Sequence, residues 1–507
     1  MTLRCTFIAL MLFGPRLAAQ APDRWQPIRD SIQSQLVRGP SAAMAVAVAK
    51  DGKIIWEQGF GWANREKMIA ATAHTTFSLA SISKPITATG LMVLLNRRLV
   101  DLDRPANDYL GIGKLTGLAG DASQATVRRV LSHTSGLPLH YQFFYSNESL
   151  RPVTMDETIA RYGNLVSAPG ETFQYSNLGF GIIDHIISRV ASQTYADFMR
   201  SEVFLPLGMT HTSIDIGPGL EPYVAERYDR GDGHPIPFYT FDHNGGSAVY
   251  SSAHDLVRFG MFHLKSHLAD QRPILPDSLI GQMQQVVATN AFGDSATSYG
   301  LGWVVHRNNR GYTVIEHSGG MPGVATVLHL FPSEHLAIVA LTNGGGDPNA
   351  IAEDIAALML PPYRERLLAD RGTARQAVAP KFTAPSELLG KWSGTLRTWQ
   401  SNIPARLVVE ADGDVKIMLG DSTVQGGPSP MARQDPALLD GAQWDRGVLV
   451  GQFAGTIPTP DASRVPHLIE IALRLVGGKL RGQAAAVSST EPARFALSSY
   501  LELTKEP

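Results

Sequence analysis

The chain has 507 residues, 44% of them hydrophobic and 18% charged, a balance typical of folded globular protein that excludes a disordered or membrane-embedded chain. At that length a single compact core is not enough, so two domains or more are expected. The formal charge of −2, with no lysine or arginine run, excludes nucleic acid and anionic membrane surfaces as partners.

The first residues carry Arg4, an apolar run from Cys5 to Gly14 and then "PRLAAQA". This reads as a signal peptide over residues 1–21, with a small-residue cleavage site near Ala19 or Ala21, because about ten apolar residues cannot span a bilayer. No later segment is long and apolar enough to span. The mature chain is therefore expected to be secreted or periplasmic, without stable membrane insertion. Cleavage would remove Cys5, the only cysteine, and with it any disulfide or thiolate chemistry.

Next, "DRWQPIRDSIQSQLVRG" has helical spacing at Ile28, Ile32 and Leu36 and ends at Gly39. Two β-like runs follow, Ala43 to Ala49 and Lys53 to Phe60, joined by the hairpin signal Lys50-Asp51-Gly52. A helix is expected from Ser81 to Leu95, then mostly helices and loops to about Phe262. Strands return between Tyr299 and Asn343, and a helix carries Ile351, Ile355, Leu358 and Leu360. The order implies an α/β (α+β) domain over residues 22–365, an antiparallel sheet flanked by helices with a helical insertion subdomain. The Pro- and charge-rich text that follows predicts a linker over 366–385. Residues 386–507 alternate as strand–turn–strand units around Asp412-Gly413-Asp414 and Gly477-Gly478, predicting a separate all-β, barrel-like domain of roughly eight short strands.

Chemistry concentrates around Lys84. Ser81 stands three residues before it, so on a helix the two share a face. A buried, neutral lysine can take the proton that keeps a serine hydroxyl unreactive. Ser83 points elsewhere, and Ser78 precedes the helix. Taken alone, Ser-x-x-Lys is a weak signal, and Ser81 reads better as a helix cap beside a surface lysine. A second signal, Tyr-x-Asn, occurs twice, at Tyr145–Asn147 and Tyr175–Asn177. The second follows the turn Pro169-Gly170 and opens an amphipathic helix (Ile182, Ile183, Ile186, Ile187, Val190), which would fix both side chains at a cleft; Tyr145 is assigned to a loop. Tyr175 could relay a proton and Asn177 could hold a carbonyl. The third piece, His317-Ser318-Gly319-Gly320, ends a β-like run. Small residues there admit close approach of a substrate backbone, and Gly320 can present an N–H. A plain strand end would read the same way.

Together these pieces resemble the serine β-lactamase/penicillin-binding superfamily, in the branch of class C β-lactamases, D-Ala-D-Ala carboxypeptidases, D-aminopeptidases and esterases. The resemblance extends to "LSHTSGLP" (Leu131–Pro138), "PGETFQYSN", "PLGM" (Pro206–Met209), "NGGSAVYSSAHDLVRF" (Asn244–Phe259) and "YGLGW" (Tyr299–Trp303). It implies Ser81 as the acylated nucleophile, Lys84 as its base partner and Tyr175 as proton shuttle. Asn177, His317, Ser318 and Gly319 would bind substrate, and the N–H groups of Ser81 and Gly320 would form the oxyanion hole. Efficient β-lactamases carry lysine where His317 stands, and histidine is mostly neutral near pH 7.5. The resemblance therefore implies an acyl-enzyme hydrolase for D-amino-acid peptides, peptidoglycan fragments or small esters, at most weak on β-lactams. A slow-deacylating penicillin-binding sensor and a true β-lactamase are the alternatives.

No Gly-x-Ser-x-Gly and no His-Glu-x-x-His occurs. His263 and His267 are four apart but have no carboxylate in the turn between them, and Asp242–Gly246 reads as a turn, so neither metal nor other cofactor is expected. The partner is a small-molecule or peptide substrate; oligomeric state is left open. "LLGKWSGTL" (Leu388–Leu396) is similar to the lipocalin-like barrels attached to some hydrolases of this branch, and nothing in that domain suggests chemistry.

Overall fold

The computed structural model describes residues 23–39, 42–373, 382–420, 436–490 and 493–507. The leader and Cys5 lie outside them. Among the described residues no helix is long and apolar enough to cross a membrane.

The hairpin expected at Lys50-Asp51-Gly52 joins strands Ala43–Lys50 and Lys53–Asn64, with Asp51 and Gly52 both at positive φ (50° and 76°). Left-handed residues at both central positions match the twist of the flanking strands. Ala43–Lys50 pairs on its other side with Leu336–Thr342, and the sheet continues through Val324–Phe331, Tyr312–Met321, Val304–Asn309 and Thr297–Tyr299, all antiparallel. The central strand is covered on both faces, which is why "AMAVAVA" shows no polar alternation. Met44, Val46 and Val48 face helices Gln26–Arg38 and Pro348–Met359, through Ile28, Ile32, Ile351 and Ile355. Ala43, Ala45, Ala47 and Ala49 face the other way, toward the helical subdomain. There Gly260 lets helix Ala253–His263 sit close, since a Cβ would come 3.0 Å from Leu330 Cδ2.

Between the two parts of this sheet lies the helical subdomain, built on Ser83–Asn96 and Asn177–Ala191. It is less purely helical than expected. Thr76–Ser78, Val249–Ser252 and Thr212–Ile214 form a three-stranded sheet, and Tyr141–Tyr145 pairs with Tyr239–Phe241. These strands have three to five residues, too short for alternation to register. Tyr145 is correspondingly a buried strand residue, not a loop residue.

Helix Pro361–Thr373 follows Pro348–Met359 after a break at Leu360 and runs into the predicted linker. Pro361 and Pro362 cannot continue the first helix but suit the first turn of the next. Residues 374–381 lie outside the described ones. Beyond them nine strands follow among the described residues, in the order 437–438, 415–419, 402–409, 390–397, 495–505, 479–488, 468–476, 448–454, 440–445. The ends of this order come together, giving a nearly closed barrel around Trp392, Leu407, Ile417, Leu473, Leu480 and Leu501. The barrel is not detached. Phe495 and Ala496 pair with Gln142 and Tyr141, so the barrel sheet runs on into the helical subdomain.

Candidate active site

Strand Thr76–Ser78 leads into a 3₁₀ turn, Ala80–Ile82, and then into helix Ser83–Asn96. The nucleophile candidate therefore sits on the turn rather than in the helix proper, after Ala80 at φ 49°, a left-handed backbone that costs energy for any residue but glycine. Ser83 is the structural serine of the cluster. Its Oγ donates to Ala80 O (2.6 Å) and accepts from Val249 N (3.0 Å), tying the helix start to the neighbouring strand.

Lys84 is fully buried. Its Nζ lies 3.1 Å from Ser81 Oγ, 2.8 Å from Asn177 Oδ1 and 3.0 Å from Gly246 O. Burial pushes its pKa well below that of a free lysine. The Gly246 carbonyl, invisible to side-chain motifs, is held in place from behind. Gly245 N donates to Asp184 (2.6 Å), whose carboxyl burial raises to about 8. Asp242 lies between His140 Nε2 and His243 Nδ1, 2.6 Å from each, so the Asp242–Gly246 segment is a buried brace.

Tyr175 precedes helix Asn177–Ala191, whose N-cap Ser176 accepts from Gly179 N. Its hydroxyl hydrogen-bonds Ser81, while burial raises its pKa, so it rests as the neutral phenol. The ring packs between His133 (4.4 Å between centroids) and Phe292 (5.5 Å). His133, central in "LSHTSGLP", accepts from Ser176 N through Nδ1 and from Gln174 N through its carbonyl. That motif is thus the cradle of Tyr175.

Strand alternation divides the His317–Gly320 quartet: Ser318 and Gly320 are exposed, His317 and Gly319 buried. Gly319 is required by contact, since a Cβ would come 2.1 Å from Leu79 O. Gly320 faces open space. His317 Nδ1 lies 2.7 Å from Ser318 O and Nε2 3.1 Å from the Tyr299 hydroxyl. Nδ1 therefore carries the proton and Nε2 accepts from the phenol. Burial first, then nearby Lys84, lowers the pKa of His317 to about 3. The imidazole is neutral, and both its nitrogens are engaged by the protein. Pairing with Val304–Asn309 ends at Glu316, leaving the edge of residues 317–321 open beside the Ser81 turn.

The barrel walls the cleft on both sides. A cavity of about 680 Å³ on the Tyr175 side is lined by Phe173, Tyr175 and Phe292 together with barrel residues Arg446 and Arg474. Another, of about 480 Å³, runs from Gly320–Gly323 to barrel residues Ser489 and Arg494.

The sequence matches the Beta-lactamase family over residues 28–360, more than half of the chain. This chain belongs to that family. It is 26% identical over 326 residues to Penicillin-binding protein 4* of Bacillus subtilis (strain 168), covering 59% of this chain and 67% of that protein. The chain spans about two thirds of the length of the curated relatives it matches. Its fold is shared with the octameric penicillin-binding protein homologue from Pyrococcus abyssi (TM-score 0.58, 20% identity, 93% of this chain and 99% of that one). It is shared equally with SurE, solved with D-Leu (TM-score 0.58, 19% identity, 95% and 99%). Coverage that high reaches beyond the family match into the barrel. Membership of the serine β-lactamase/penicillin-binding superfamily accords with the motifs at Ser81, Tyr175 and His317.

Proposed function

We propose that the protein is an exported serine hydrolase that forms an acyl-enzyme at Ser81. Its substrates are D-amino-acid peptides, peptidoglycan fragments or small esters, and it is at most weakly active on β-lactams. The hydrogen-bond set of Lys84 carries this reading. A neutral amine has two N–H bonds and one lone pair. Asn177 Oδ1 and the Gly246 carbonyl can only accept, so they take the N–H bonds and leave the lone pair for the Ser81 hydroxyl proton.

As Ser81 Oγ attacks the substrate carbonyl, its proton passes to Lys84 Nζ, and the N–H groups of Ser81 and Gly320 hold the oxyanion. The Tyr175 phenol, hydrogen-bonded to Ser81, gives its proton to the leaving group and is reprotonated from Lys84. Water then enters by the reverse route and releases the acyl group. The neutral His317 offers no fixed positive charge to a β-lactam carboxylate, which supports weak activity on those drugs. The D-Leu in the SurE structure supports D-amino-acid substrates at the level of fold.

The test compares hydrolysis of a short-chain p-nitrophenyl ester and of D-Ala-D-Ala peptides by the mature protein and by Ser81→Ala. The expected result is a fall of about 10³-fold or more in the variant. Undiminished activity would remove Ser81 from the mechanism. Stoichiometric penicillin trapping without turnover would mark a sensor instead.

A further inference from the structure

Four side chains that no sequence motif connects meet at one end of the short three-stranded sheet. Thr76 pairs with Ser252 and Thr212 with Ser251, so the starts of Thr76–Ser78 and Thr212–Ile214 lie beside the end of Val249–Ser252. His74 stands two residues before the first, His211 one residue before the second and His254 two residues after the third. Antiparallel register thus gathers all three histidines at the same edge. Glu57 reaches the group from strand Lys53–Asn64, placing its Oε2 2.8 Å from His254 Nδ1. We propose that Glu57, His74, His211 and His254 form a structural zinc site.

Three of the ligands are already gathered, and His211 stands beside His74 as the fourth. The ring centroid of His74 lies 4.6 Å from that of His254 and 5.3 Å from that of His211. Two imidazoles on one tetrahedral zinc, with Zn–N near 2.0–2.1 Å, have centroids about 5 Å apart. Ligand atoms of Glu57, His74 and His254 already lie within 4.8 Å of one another. Three imidazoles and one carboxylate form a nitrogen-rich set that suits zinc and does not suit calcium or magnesium.

The surroundings favour a cation as well. Asp255, fully buried, accepts from His211 N (2.6 Å) and Thr212 Oγ1 (2.8 Å) through Oδ2, which fixes the His211 loop. Its Oδ1 has no hydrogen-bond partner among the described residues, a buried lone-pair site beside the histidines. Glu57 and Asp255 together outweigh the mild penalty of placing a cation near the start of helix Ala253–His263. With four protein ligands the ion has no open position, so its role is to staple. It joins the outer hairpin, the segment leading to the Ser81 turn, the His211 loop and helix Ala253–His263.

The experiment uses the mature, untagged full chain, stripped with chelator and titrated with Zn2+ in a calorimeter. Co2+ serves as the spectroscopic probe. The expected result is one saturable site per chain, visible absorption of tetrahedral Co2+ and a raised melting temperature in zinc. His74→Asn, His254→Asn and Glu57→Gln should each weaken zinc at least about tenfold, the loss typical even of outer-shell changes. Ester hydrolysis by each variant confirms that it is folded. No saturable binding in the parent, or undiminished binding in the three folded variants, would overturn the site.

Discussion

Burial governs the protonation of Lys84, and in the proposed mechanism that protonation decides when Ser81 can react. The unfolded chain titrates this lysine near 10.4, and the folded site holds it far lower. Between those two values the unfolded state binds the extra proton, so the stability cost of burying Lys84 is complete at low pH and fades as pH rises. Activity follows the same sign: kcat/KM for a neutral ester should rise with pH as Lys84 deprotonates. His317, neutral above about 3, should add no limb. A pH–rate profile of His317→Asn should change in amplitude but not in midpoint; an inflection near 6.5 that vanishes in the variant would show that His317 titrates after all. The meeting of Ser81 with Lys84, and the placing of Tyr175 and Asn177 at one helix entry, were legible because each pair is set by local spacing. The Gly246 carbonyl was not, because a backbone acceptor has no sequence signature. The inward turn of His317 follows from period-two alternation, but only once the strand's buried face is known.

At the scale of elements, the hairpin Asp440–Asp445/Val448–Ala454 brings Arg446 to the cleft. Its guanidinium lies against Gly293, where a Cβ would come 2.4 Å from Nη2, and pairs with Asp445 at 2.8 Å. Arg474, on the next strand, stands 3.9 Å from Glu171 and lines the same cavity as Tyr175. Both arginines line the cavity on the Tyr175 side. If the proposed peptide substrates bind there, Arg474→Gln should raise KM for a peptide with a free carboxylate. A lost charge-assisted bond of about 1.5 kcal/mol corresponds to about tenfold. KM for a neutral ester should not move, which separates carboxylate binding from general damage to the cleft. Equal changes for both substrates would place Arg474 in packing only. The sequence correctly announced a β-rich domain through its turn signals and alternation. It could not announce that the domain walls the active site, because that depends on contacts between residues about 300 apart, such as Gln174 with Gln483.

Across the whole molecule, the boundary between hydrolase domain and barrel is built like an interior. One apolar cluster runs from the helical subdomain into the barrel core. Strand Tyr141–Tyr145 is paired on one side with Tyr239–Phe241 and at its start with Phe495 and Ala496. The Tyr162 hydroxyl donates to buried Asp461, and Arg464 pairs with Glu148 at 2.9 Å. Domains joined by a large apolar contact and a shared ladder lose their partners when either unfolds, so the two should melt as a unit. Scanning calorimetry of the protein should show one transition. Asp461→Ala leaves the buried Tyr162 hydroxyl without its acceptor, a loss of about 1–3 kcal/mol. It should shift the whole transition downward instead of splitting it. Two separated transitions in the parent, with only one moved by Asp461→Ala, would mean that the barrel folds independently. The walls it gives the cleft would then be docked rather than built in.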